Sequence, residues 1–323
     1  MKKRYASGAT RKTRDTSQRT MLTRTLLLNL AANKKAERLI RNNRLSSRMI
    51  TRFVAGETIE QAIAPVKALN ALGATASLDL LGESVTSEAD VEATVQTYLA
   101  LVQVLRENSL KTTLSVKPTA LGLDINEDLC EKSLTRLLNA AAPDLFIQID
   151  MEGSPHTQGT LDIFYRLRAQ YKNVGAVIQA YLYRSEADME EMIRVGGRVR
   201  LCKGAYKESA DIAYPQKSEV DSNYVRLMKR LLDAGNFPGL ATHDANIIEL
   251  AKVYLHDNDI PKERFEFQML YGVRRDLQAQ LLKEGYNLMV YTPFGEHWYP
   301  YFMRRLAERP ANLLFALKSL FYR

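Results

Sequence analysis

The sequence has few cysteines and no long apolar run. Only Cys130 and Cys202 occur among 323 residues, with no CxxC pair and no histidine beside them at metal-binding spacing. This excludes a disulfide framework and a cysteine-ligated zinc site, and it is typical of a protein in a reducing compartment. The longest uncharged apolar stretch, residues 26–32, is far shorter than the roughly 18 residues of a membrane span. The sequence therefore predicts no transmembrane helix.

Acidic residues are scarce in the first part of the chain. Residues 1–52 carry 15 Lys and Arg against 2 Asp and Glu, whereas the whole chain carries 45 against 37. Residues 53–323 are therefore mildly acidic, with 30 basic and 35 acidic groups. A basic segment can bring a protein to anionic lipid or nucleic acid, and a solvated, flexible arm is the alternative interpretation.

Length and composition describe a globular chain. Hydrophobic residues make up 46% and charged residues 25%, which excludes a disordered or fibrous protein. The length suits one large barrel domain or two smaller domains. We predict a basic, flexible leader over residues 1–20, a helical segment over 21–72 and a barrel over 73–323. The leader is interpreted either as a transit peptide or as a segment that precedes a native start at Met21.

One pattern recurs eight times: a short apolar run, a polar or glycine-containing turn, and a longer stretch with helical spacing. Strands are predicted at residues 74–81, 112–117, 145–150, 174–181, 199–203, 240–243, 265–270 and 288–292. Residues 87–108 predict a helix, because their apolar residues recur at steps of three and four. That face consists of Val91, Val95, Tyr98, Leu99, Val102 and Leu105. The predicted N-caps of later helices are Asn126, Ser185 and Asp244.

The alternation of strands and helices predicts an α/β fold with a parallel sheet. Eight such units within about 250 residues fit a closed (β/α)8 barrel of the TIM type, with an open doubly wound sheet as the alternative. No GxGxxG follows the first strand and no GxxxxGK(S/T) occurs, so the usual nucleotide-binding form of the open sheet loses its support. The barrel is therefore the favoured fold.

Polar residues alternate with apolar ones along several predicted strands, such as Ser115 and Lys117, and Gln148 and Asp150. Apolar side chains suit the helix side, so the polar set is expected inside the barrel near the C-terminal strand ends, where barrel active sites lie. Lys117 and Asp150 end neighbouring strands, and we expect an ion pair between them. The predicted ring at the barrel mouth consists of Lys117, Asp150, Gln179, Arg200, Lys203, His243, Glu266 and Gln268.

This ring is basic and rich in hydrogen-bonding groups. It contains no Ser/His pair for acyl transfer and no carboxylate cluster for a metal ion. Such groups suit a large anionic ligand with many heteroatoms. The alternative is a salt bridge of the barrel core without a role in substrate binding.

The segment after the last predicted strand resembles a binding helix. On a helix, Tyr301, Arg304, Arg305 and Glu308 share one face, because they are three or four positions apart. Two guanidinium groups beside aromatic rings suit a small carboxylate with an apolar body. A solvated surface helix is the alternative interpretation.

Four runs of residues carry a specific resemblance to a known family. They are VRLCKGAYKE at 199–208, ATHD at 241–244, FEFQMLYG at 265–272 and the helix at 301–308. In that order they resemble the signature segments of the proline dehydrogenases. Residues 115–117, 150–152 and 177–181 agree as well, so the resemblance covers residues 45–323. Cys202, where a β-branched residue is commoner, and Tyr271 depart from the pattern without removing a catalytic group.

The resemblance implies a fold, an activity and a cofactor. Proline dehydrogenases are distorted (β/α)8 barrels, and we expect the last helix to lie over the barrel mouth. They bind FAD, oxidise L-proline to Δ1-pyrroline-5-carboxylate and pass the electrons to a membrane quinone. The chain ends soon after the helix at 301–308, so we expect the monofunctional form rather than a relative with a second, aldehyde-oxidising domain.

The resemblance also implies a role for each matching position. The substrate carboxylate is expected to be held by Lys117, Arg304 and Arg305. The pyrrolidine ring is expected to be enclosed by Leu270, Tyr291 and Tyr301, in a pocket also lined by Asp150 and Tyr206. The residues expected to contact FAD are Gln179, Arg200, Lys203, Gly204, Ala205, Thr242, His243 and Glu308, with Arg200 near the flavin N5. Catalytic roles are expected for Arg200, Lys117, Asp150 and Tyr206.

Partners and location follow from the implied quinone. A quinone dissolved in the bilayer, together with the basic first segment, predicts peripheral contact with an anionic membrane surface. We expect a cytoplasmic protein, with the matrix side of the mitochondrial inner membrane as the alternative. Another flavin- or phosphate-binding barrel enzyme is a rival function. A nucleic-acid-binding module is disfavoured, because the acidic body lacks interleaved aromatic and basic residues, and no nucleic-acid partner is expected.

Overall fold

Eight parallel strands close into a barrel in chain order in the computed structural model of this protein. The structure describes residues 50–308 together with residues 33, 37, 38 and 41. The strands are β1 (Thr75–Leu80), β2 (Thr112–Val116), β3 (Phe146–Ile149), β4 (Val174–Gln179), β5 (Arg198–Cys202), β6 (Gly239–Ala241), β7 (Glu266–Leu270) and β8 (Leu288–Phe294). All eight predicted strands are confirmed, with ends that differ by no more than two residues.

The sheet closes where β1 pairs in parallel with β8, with Ser77 opposite Tyr291 and Asp79 opposite Pro293. On its other side β1 pairs with β2, with Asp79 opposite Ser115. Because every strand pairs with the next one in the chain and the last pairs with the first, the alternative of an open doubly wound sheet is wrong.

Helices connect the strands, as a parallel sheet requires. Before the barrel strands lies α1 (Ile59–Ala71), which packs against β1 and β8. The helices after the successive strands are α2 (Glu88–Glu107), α3 (Glu127–Ala141), α4 (Ser154–Arg168), α5 (Ser185–Arg194), α6 (Lys217–Ala234), α7 (Ala245–Asp257), α8 (Arg275–Lys283) and α9 (Trp298–Glu308). Short 3-10 turns at Thr119–Leu121 and Lys262–Arg264 precede α3 and β7.

Two of the three predicted N-caps are confirmed. The Asn126 side chain accepts a hydrogen bond from the Asp128 amide at the start of α3, and Asp244 accepts one from the Asn246 amide at the start of α7. The prediction for Ser185 is wrong, because this residue is the first of α5 and its hydroxyl donates to the Gln179 carbonyl instead. Its hydroxyl proton is thereby directed to the end of β4, and the residue at the N-cap position is Arg184.

The apolar core lies between the strands and the helices that surround them. The predicted inner face of α2 is confirmed at five of its six positions. Leu99 is only partly buried, and Leu101 is fully buried in its place. The buried stripe of α2 is therefore displaced around the helix rather than widened, and α2 packs against its neighbour α3.

The described residues belong to two compact units. One consists of Ala55–Gly295 and contains the whole barrel; the other contains the residues before Ala55 and from Glu296 onward. Within the second unit, the Phe302 ring lies 6.3 Å from the Phe53 ring and 6.1 Å from the Trp298 ring, between centroids. The predicted leader, residues 1–20, lies outside the described residues. So does most of the part of the predicted helical segment 21–72 that precedes Ile50. The predicted domain boundaries therefore stay predictions.

Among residues 50–308 and the few described before them, no helix is both long enough and apolar enough to cross a membrane.

Candidate active site

A buried lysine–carboxylate pair lies at the C-terminal ends of β1 and β2. Lys117 Nζ lies 2.5 Å from Asp79 Oδ1, and the Asp79 side chain is only 1% exposed. The expected partner, Asp150, is farther away, with its Oδ2 3.9 Å from the same nitrogen. Asp79 lies on β1, in register with Ser115 two residues before Lys117, whereas Asp150 follows β3 on the other side of β2. The predicted Lys117–Asp150 contact is therefore the weaker of two.

Asp150 has a different close partner. Its Oδ1 accepts a hydrogen bond from Arg200 Nη1 at 2.6 Å, and its Oδ2 accepts one from the Tyr291 hydroxyl at 2.8 Å. The Tyr291 hydroxyl lies 3.4 Å from Lys117 Nζ. The Arg200 guanidinium carbon lies 5.3 Å from the centre of the Tyr291 ring. Residues on or directly after β1, β2, β3, β5 and β8 are thus joined in one cluster. We call it the mouth cluster: Asp79, Lys117, Asp150, Arg200 and Tyr291.

The formal charges of the mouth cluster cancel, since it contains two carboxylates and two cations. Burial opposes the charge on Lys117, but the attraction of Asp79 and Asp150 outweighs it and raises the pKa of the lysine. Burial raises the pKa of the Asp79 carboxyl, with the Lys117 ammonium opposing that rise. Burial also raises the pKa of Tyr291, and the negative charge of Asp150 adds to the effect. The tyrosine is therefore a hydrogen-bond donor at neutral pH.

Arg200 is held on several sides inside the barrel. Besides its bond to Asp150, its Nε donates to Gln268 Oε1 at 2.6 Å and its Nη2 donates to Ser115 Oγ at 3.0 Å. The side chain of this residue is 7% exposed. Buried guanidinium groups are stable only when their donors are matched in this way.

Glu266 does not lie at the mouth, so this part of the predicted ring is wrong. Glu266 is the first residue of β7, and its carboxylate accepts a hydrogen bond from Arg198 Nη2, on the first residue of β5, at 2.7 Å. Both residues therefore belong to the N-terminal end of the barrel. The alternation of side chains gave the correct side of the sheet, but it does not indicate the height along the strand.

Four predicted cofactor residues lie at the ends of β4, β5 and β6, and each of them already has a partner within the protein. Gln179 Nε2 donates to the Glu152 carbonyl at 2.8 Å. Lys203 Nζ lies 2.6 Å from Asp221 Oδ1 and 3.1 Å from Asp244 Oδ2. His243 Nε2 accepts a hydrogen bond from the Leu270 amide at 2.8 Å, so the neutral ring carries its proton on Nδ1. Thr242 accepts one from the Asp244 amide at 3.1 Å.

Gly204 lies in the loop that follows β5, and this position requires glycine. Its φ is +109°, and a Cβ at this position would lie 2.4 Å from the Tyr181 ring. The backbone of the loop can therefore pass close to Tyr181 only without a side chain. Ala205 and Tyr206 follow directly, and Tyr206 is 39% exposed.

Glu208 ties this loop to the start of α4. Its two carboxylate oxygens accept from the Ser154 amide at 2.8 Å and from the Ser154 hydroxyl at 2.6 Å. The Tyr181 hydroxyl donates to the same carboxylate at 3.3 Å. The loop with Tyr206 is thus anchored on both sides by one side chain.

The remaining predicted residues lie on β7 and on α9. Leu270 ends β7 and is partly buried. Tyr301, Arg304 and Arg305 lie on α9, in the second compact unit, and the Arg305 guanidinium carbon lies 5.2 Å from the Tyr301 ring centre. The side chain of Glu308 lies outside the described part of the chain. The predicted contacts of these residues with substrate and cofactor stay predictions, as does the placement of α9 over the barrel mouth.

Sequence reasoning missed two buried carboxylates. Asp79 was detectable, because Ser77 and Asp79 alternate with apolar residues in the first strand just as Ser115 and Lys117 do in the second. Glu152 is buried and accepts from the amide and the hydroxyl of Thr119, at 2.9 and 2.7 Å. Burial raises the pKa of Glu152, and the two bonds from Thr119 oppose that rise. No pattern in the sequence indicates this contact between two loops.

The fold and the mouth cluster define the class of protein: a (β/α)8-barrel enzyme with charged groups at the C-terminal ends of its strands. A sequence model of the family described as "Proline dehydrogenase" matches residues 62–317. The chain therefore belongs to the proline dehydrogenase family.

Individual relatives agree with this membership. Proline dehydrogenase 1 of Bacillus subtilis is 44% identical over 270 residues, which cover 83% of this chain and 89% of that protein. The proline dehydrogenase of Deinococcus radiodurans is 40% identical over 305 residues, covering 93% and 98% of the two chains. These matches fit the monofunctional form. The crystal structure of proline utilization A from Bdellovibrio bacteriovorus, inactivated by N-propargylglycine, has 26% identity and a TM-score of 0.79, covering 90% of this chain and 37% of that one.

Proposed function

We propose that this chain oxidises L-proline to Δ1-pyrroline-5-carboxylate, the first step of proline catabolism. The observation that carries the proposal is the mouth cluster, in which Lys117, Asp150, Arg200 and Tyr291 meet at the catalytic end of a barrel of the proline dehydrogenase family. These are four of the positions that the resemblance assigns to substrate or cofactor. The cluster offers cations for a carboxylate and an apolar ring face for a pyrrolidine.

FAD is the proposed cofactor, and the chemistry of the donors around the barrel mouth suits it. A flavin dinucleotide presents carbonyl, ring-nitrogen and pyrophosphate acceptors. Amide, ammonium and imidazole groups lie at the ends of β4, β5 and β6, and the Arg200 guanidinium lies within β5. The residues that would hold FAD are Gln179, Arg200, Lys203, Gly204, Ala205, Thr242, His243 and Glu308. When bound, FAD supplies the hydride acceptor.

This chain's own residues would bind and orient proline. Lys117, with Arg304 and Arg305, is proposed to hold the carboxylate, and Leu270, Tyr291 and Tyr301 to enclose the ring. The ring nitrogen must lose its proton before the C=N bond can form. Both carboxylate oxygens of Asp150 already accept hydrogen bonds within the protein, one from Arg200 and the other from Tyr291. We therefore assign Asp150 to orientation of Arg200 and Tyr291 rather than to removal of that proton.

A membrane quinone is the proposed electron acceptor, reached by peripheral contact with an anionic surface. Support comes from the 15 basic against 2 acidic groups of residues 1–52. The proposed location is the cytoplasmic side of a membrane, or the matrix side of the mitochondrial inner membrane.

The test of this function is spectroscopic. Purified protein loaded with FAD should absorb at about 450 nm, and this band should bleach when L-proline is added without oxygen. Mass spectrometry should then detect Δ1-pyrroline-5-carboxylate in an amount equal to the bleached flavin. D-proline and L-alanine serve as controls. The proposal would be contradicted if the protein bound no flavin, or if its bound flavin stayed oxidised after L-proline was added.

A further inference from the structure

A chain of hydrogen bonds runs through the barrel interior from its N-terminal end to Arg200. Arg198 Nη2 donates to Glu266 Oε1 at 2.7 Å, and Gln268 Nε2 donates to the same oxygen at 2.6 Å. Gln268 Oε1 in turn accepts from Arg200 Nε at 2.6 Å. Glu266, Gln268 and Arg200 are 5%, 4% and 6% exposed. Two arginines on β5 are thus connected through two side chains on β7.

These hydrogen bonds permit only one orientation of the Gln268 amide. A carboxylate can only accept hydrogen bonds, and a guanidinium can only donate them. Glu266 therefore selects the NH2 end of the amide, which turns the oxygen toward Arg200. A flipped amide would place its NH2 group against the Arg200 guanidinium and its oxygen against the Glu266 carboxylate.

Glu266 is itself held firmly by Arg198. The Arg198 guanidinium carbon lies 4.8 Å from the Phe146 ring centre and 4.6 Å from that of Phe237, so both aromatic rings contact the cation. Burial lowers the pKa of Arg198, and the Glu266 carboxylate opposes this change. An isolated cation at this depth would be costly, so Arg198 and Glu266 depend on each other.

The neighbouring strand leaves room for Gln268. Gly239, at the start of β6, lies beside its amide, and a Cβ there would come within 2.1 Å of Gln268 Nε2. Any side chain at this position would displace the amide. The backbone of β6 is therefore adapted to the position of Gln268.

We propose that Arg198, Glu266 and Gln268 are positioning residues that fix the Arg200 guanidinium from the side opposite Asp150. Without Gln268, the Nε donor of Arg200 loses its acceptor, and the guanidinium turns toward Asp150, Ser115 and Ser77. The consequence for catalysis rests on the proposed function, in which Arg200 contacts the flavin. The geometric claim concerns only residues of the barrel.

The first test removes the acceptor of the Arg200 Nε hydrogen bond with the variant Gln268→Met. The variant Gln148→Met is the control. Gln148 is a buried glutamine inside the same barrel, on β3, and it lies outside the chain of hydrogen bonds. In protein labelled with 15N-arginine, we expect the Arg200 Nε proton to exchange with solvent at least about 10-fold faster in Gln268→Met, because a hydrogen bond from a charged donor is lost. Gln148→Met should match the wild type. This measurement requires neither flavin nor proline.

The second measurement is the potential of the bound flavin, determined with redox dyes and without proline. A displaced cation stabilises the reduced flavin less, so Gln268→Met should lower the potential by about 30 mV, which corresponds to a tenfold change for two electrons. The limiting rate of bleaching by L-proline should fall about 10-fold, while KM changes less than about threefold. If the wild-type flavin is not bleached by L-proline, the proposed function fails, but the exchange and potential measurements still test the positioning.

The third test exchanges the two side chains of β7. Gln268→Glu alone places two carboxylates in contact, and Glu266→Gln alone leaves Arg198 without a counter-charge. The double variant E266Q/Q268E keeps every donor matched to an acceptor, since the new amide at 266 can accept from Arg198 and donate to the carboxylate at 268. We expect the double variant to melt at a higher temperature than either single variant and to recover slow exchange of the Arg200 Nε proton. The proposal would be overturned if the Arg200 Nε proton of Gln268→Met exchanged at the wild-type rate. It would also be overturned if the double variant melted no higher than the two single variants.

Discussion

Lys117 and Asp79 form the shortest ion pair of the mouth cluster, at 2.5 Å, while Lys117 and Asp150 are 3.9 Å apart. Lys117 therefore forms its close ion pair with Asp79, and Asp150 forms its own with Arg200. This division gives each cation its own counter-charge. It also means that Asp79, which has no role in the sequence-based assignment, stabilises the charge of Lys117, which does.

The first prediction concerns the stability that depends on this pair. Asp79→Asn removes the negative charge and leaves Lys117 with a distant partner in a buried site. We expect the free energy of unfolding to fall by roughly 3–5 kcal/mol, because an uncompensated buried charge is left behind. Urea denaturation at pH 7 measures it. The matched control is Glu92→Gln, which breaks the exposed pair with Arg136 and should cause a much smaller change. Equal effects of the two substitutions would contradict the role of Asp79.

The second prediction concerns the two thiols. Burial, the largest cause, raises the pKa of Cys130 and of Cys202 to about 12. At pH 8 each should contain about a thousandfold less thiolate than an exposed cysteine with a pKa of about 8.5. We expect both to react very slowly with Ellman's reagent in the folded protein and rapidly in urea. Because the folded pKa values are raised, the stability that each thiol contributes is complete below about pH 8.5 and is lost as the pH rises toward 12. Fast reaction of folded protein at pH 8 would disprove this.

The third prediction concerns the loop that carries Tyr206. Glu208→Gln weakens the charge-assisted bonds from Ser154 that anchor the loop to α4. We expect amide hydrogen exchange in residues 203–214 to become about 10-fold faster, since the loop opens more often. Ser218→Ala, an exposed serine in the first turn of α6, serves as the control. Unchanged exchange in Glu208→Gln would show that other contacts hold the loop.

The fourth prediction concerns the arginine pair on α9. If Arg304 and Arg305 bind the substrate carboxylate, Arg305→Met should raise the KM for L-proline on the order of 10- to 100-fold while flavin stays bound. Steady-state kinetics with a soluble dye as acceptor provides the measurement. Arg136→Met, at an exposed arginine paired with Glu92, should leave the KM unchanged. An unchanged KM in Arg305→Met would favour the interpretation of this helix as a solvated surface element.

The fifth prediction concerns the proposed membrane contact. Deletion of residues 1–20 removes seven basic groups and one acidic group. Each Lys or Arg near an anionic surface contributes roughly 1 kcal/mol, over a Debye length of about 8 Å at physiological salt. We expect weaker sedimentation with vesicles that contain anionic lipid and lower turnover with a quinone in those vesicles. Turnover with a soluble dye should stay the same, because the barrel is intact. Equal vesicle binding by both proteins would contradict the role of this segment.

Much of the fold was predictable from local patterns. Each strand is a short apolar run between turns, and each helix has apolar residues at steps of three and four, so the order of elements follows from short-range rules. Asn126 and Asp244 were identified as caps for the same reason, because a cap bonds to an amide two residues away. The prediction of Ser185 as a cap is wrong because its hydroxyl donates to the Gln179 carbonyl at the end of β4, six residues earlier in the chain.

The sequence by itself determined the barrel, the alternation that points Lys117, Asp150, Arg200 and Gln268 inward, and the resemblance to the proline dehydrogenases. Only the tertiary structure decided which of these groups touch. Asp79 and Lys117 are 38 residues apart, and Arg200 and Gln268 are 68 apart. Barrel closure and strand stagger bring them together, and neither leaves a periodic signal in the sequence. The stagger also sets Glu266 at the opposite end from the mouth, because alternation specifies the face of a strand but not the height of a residue along the barrel axis.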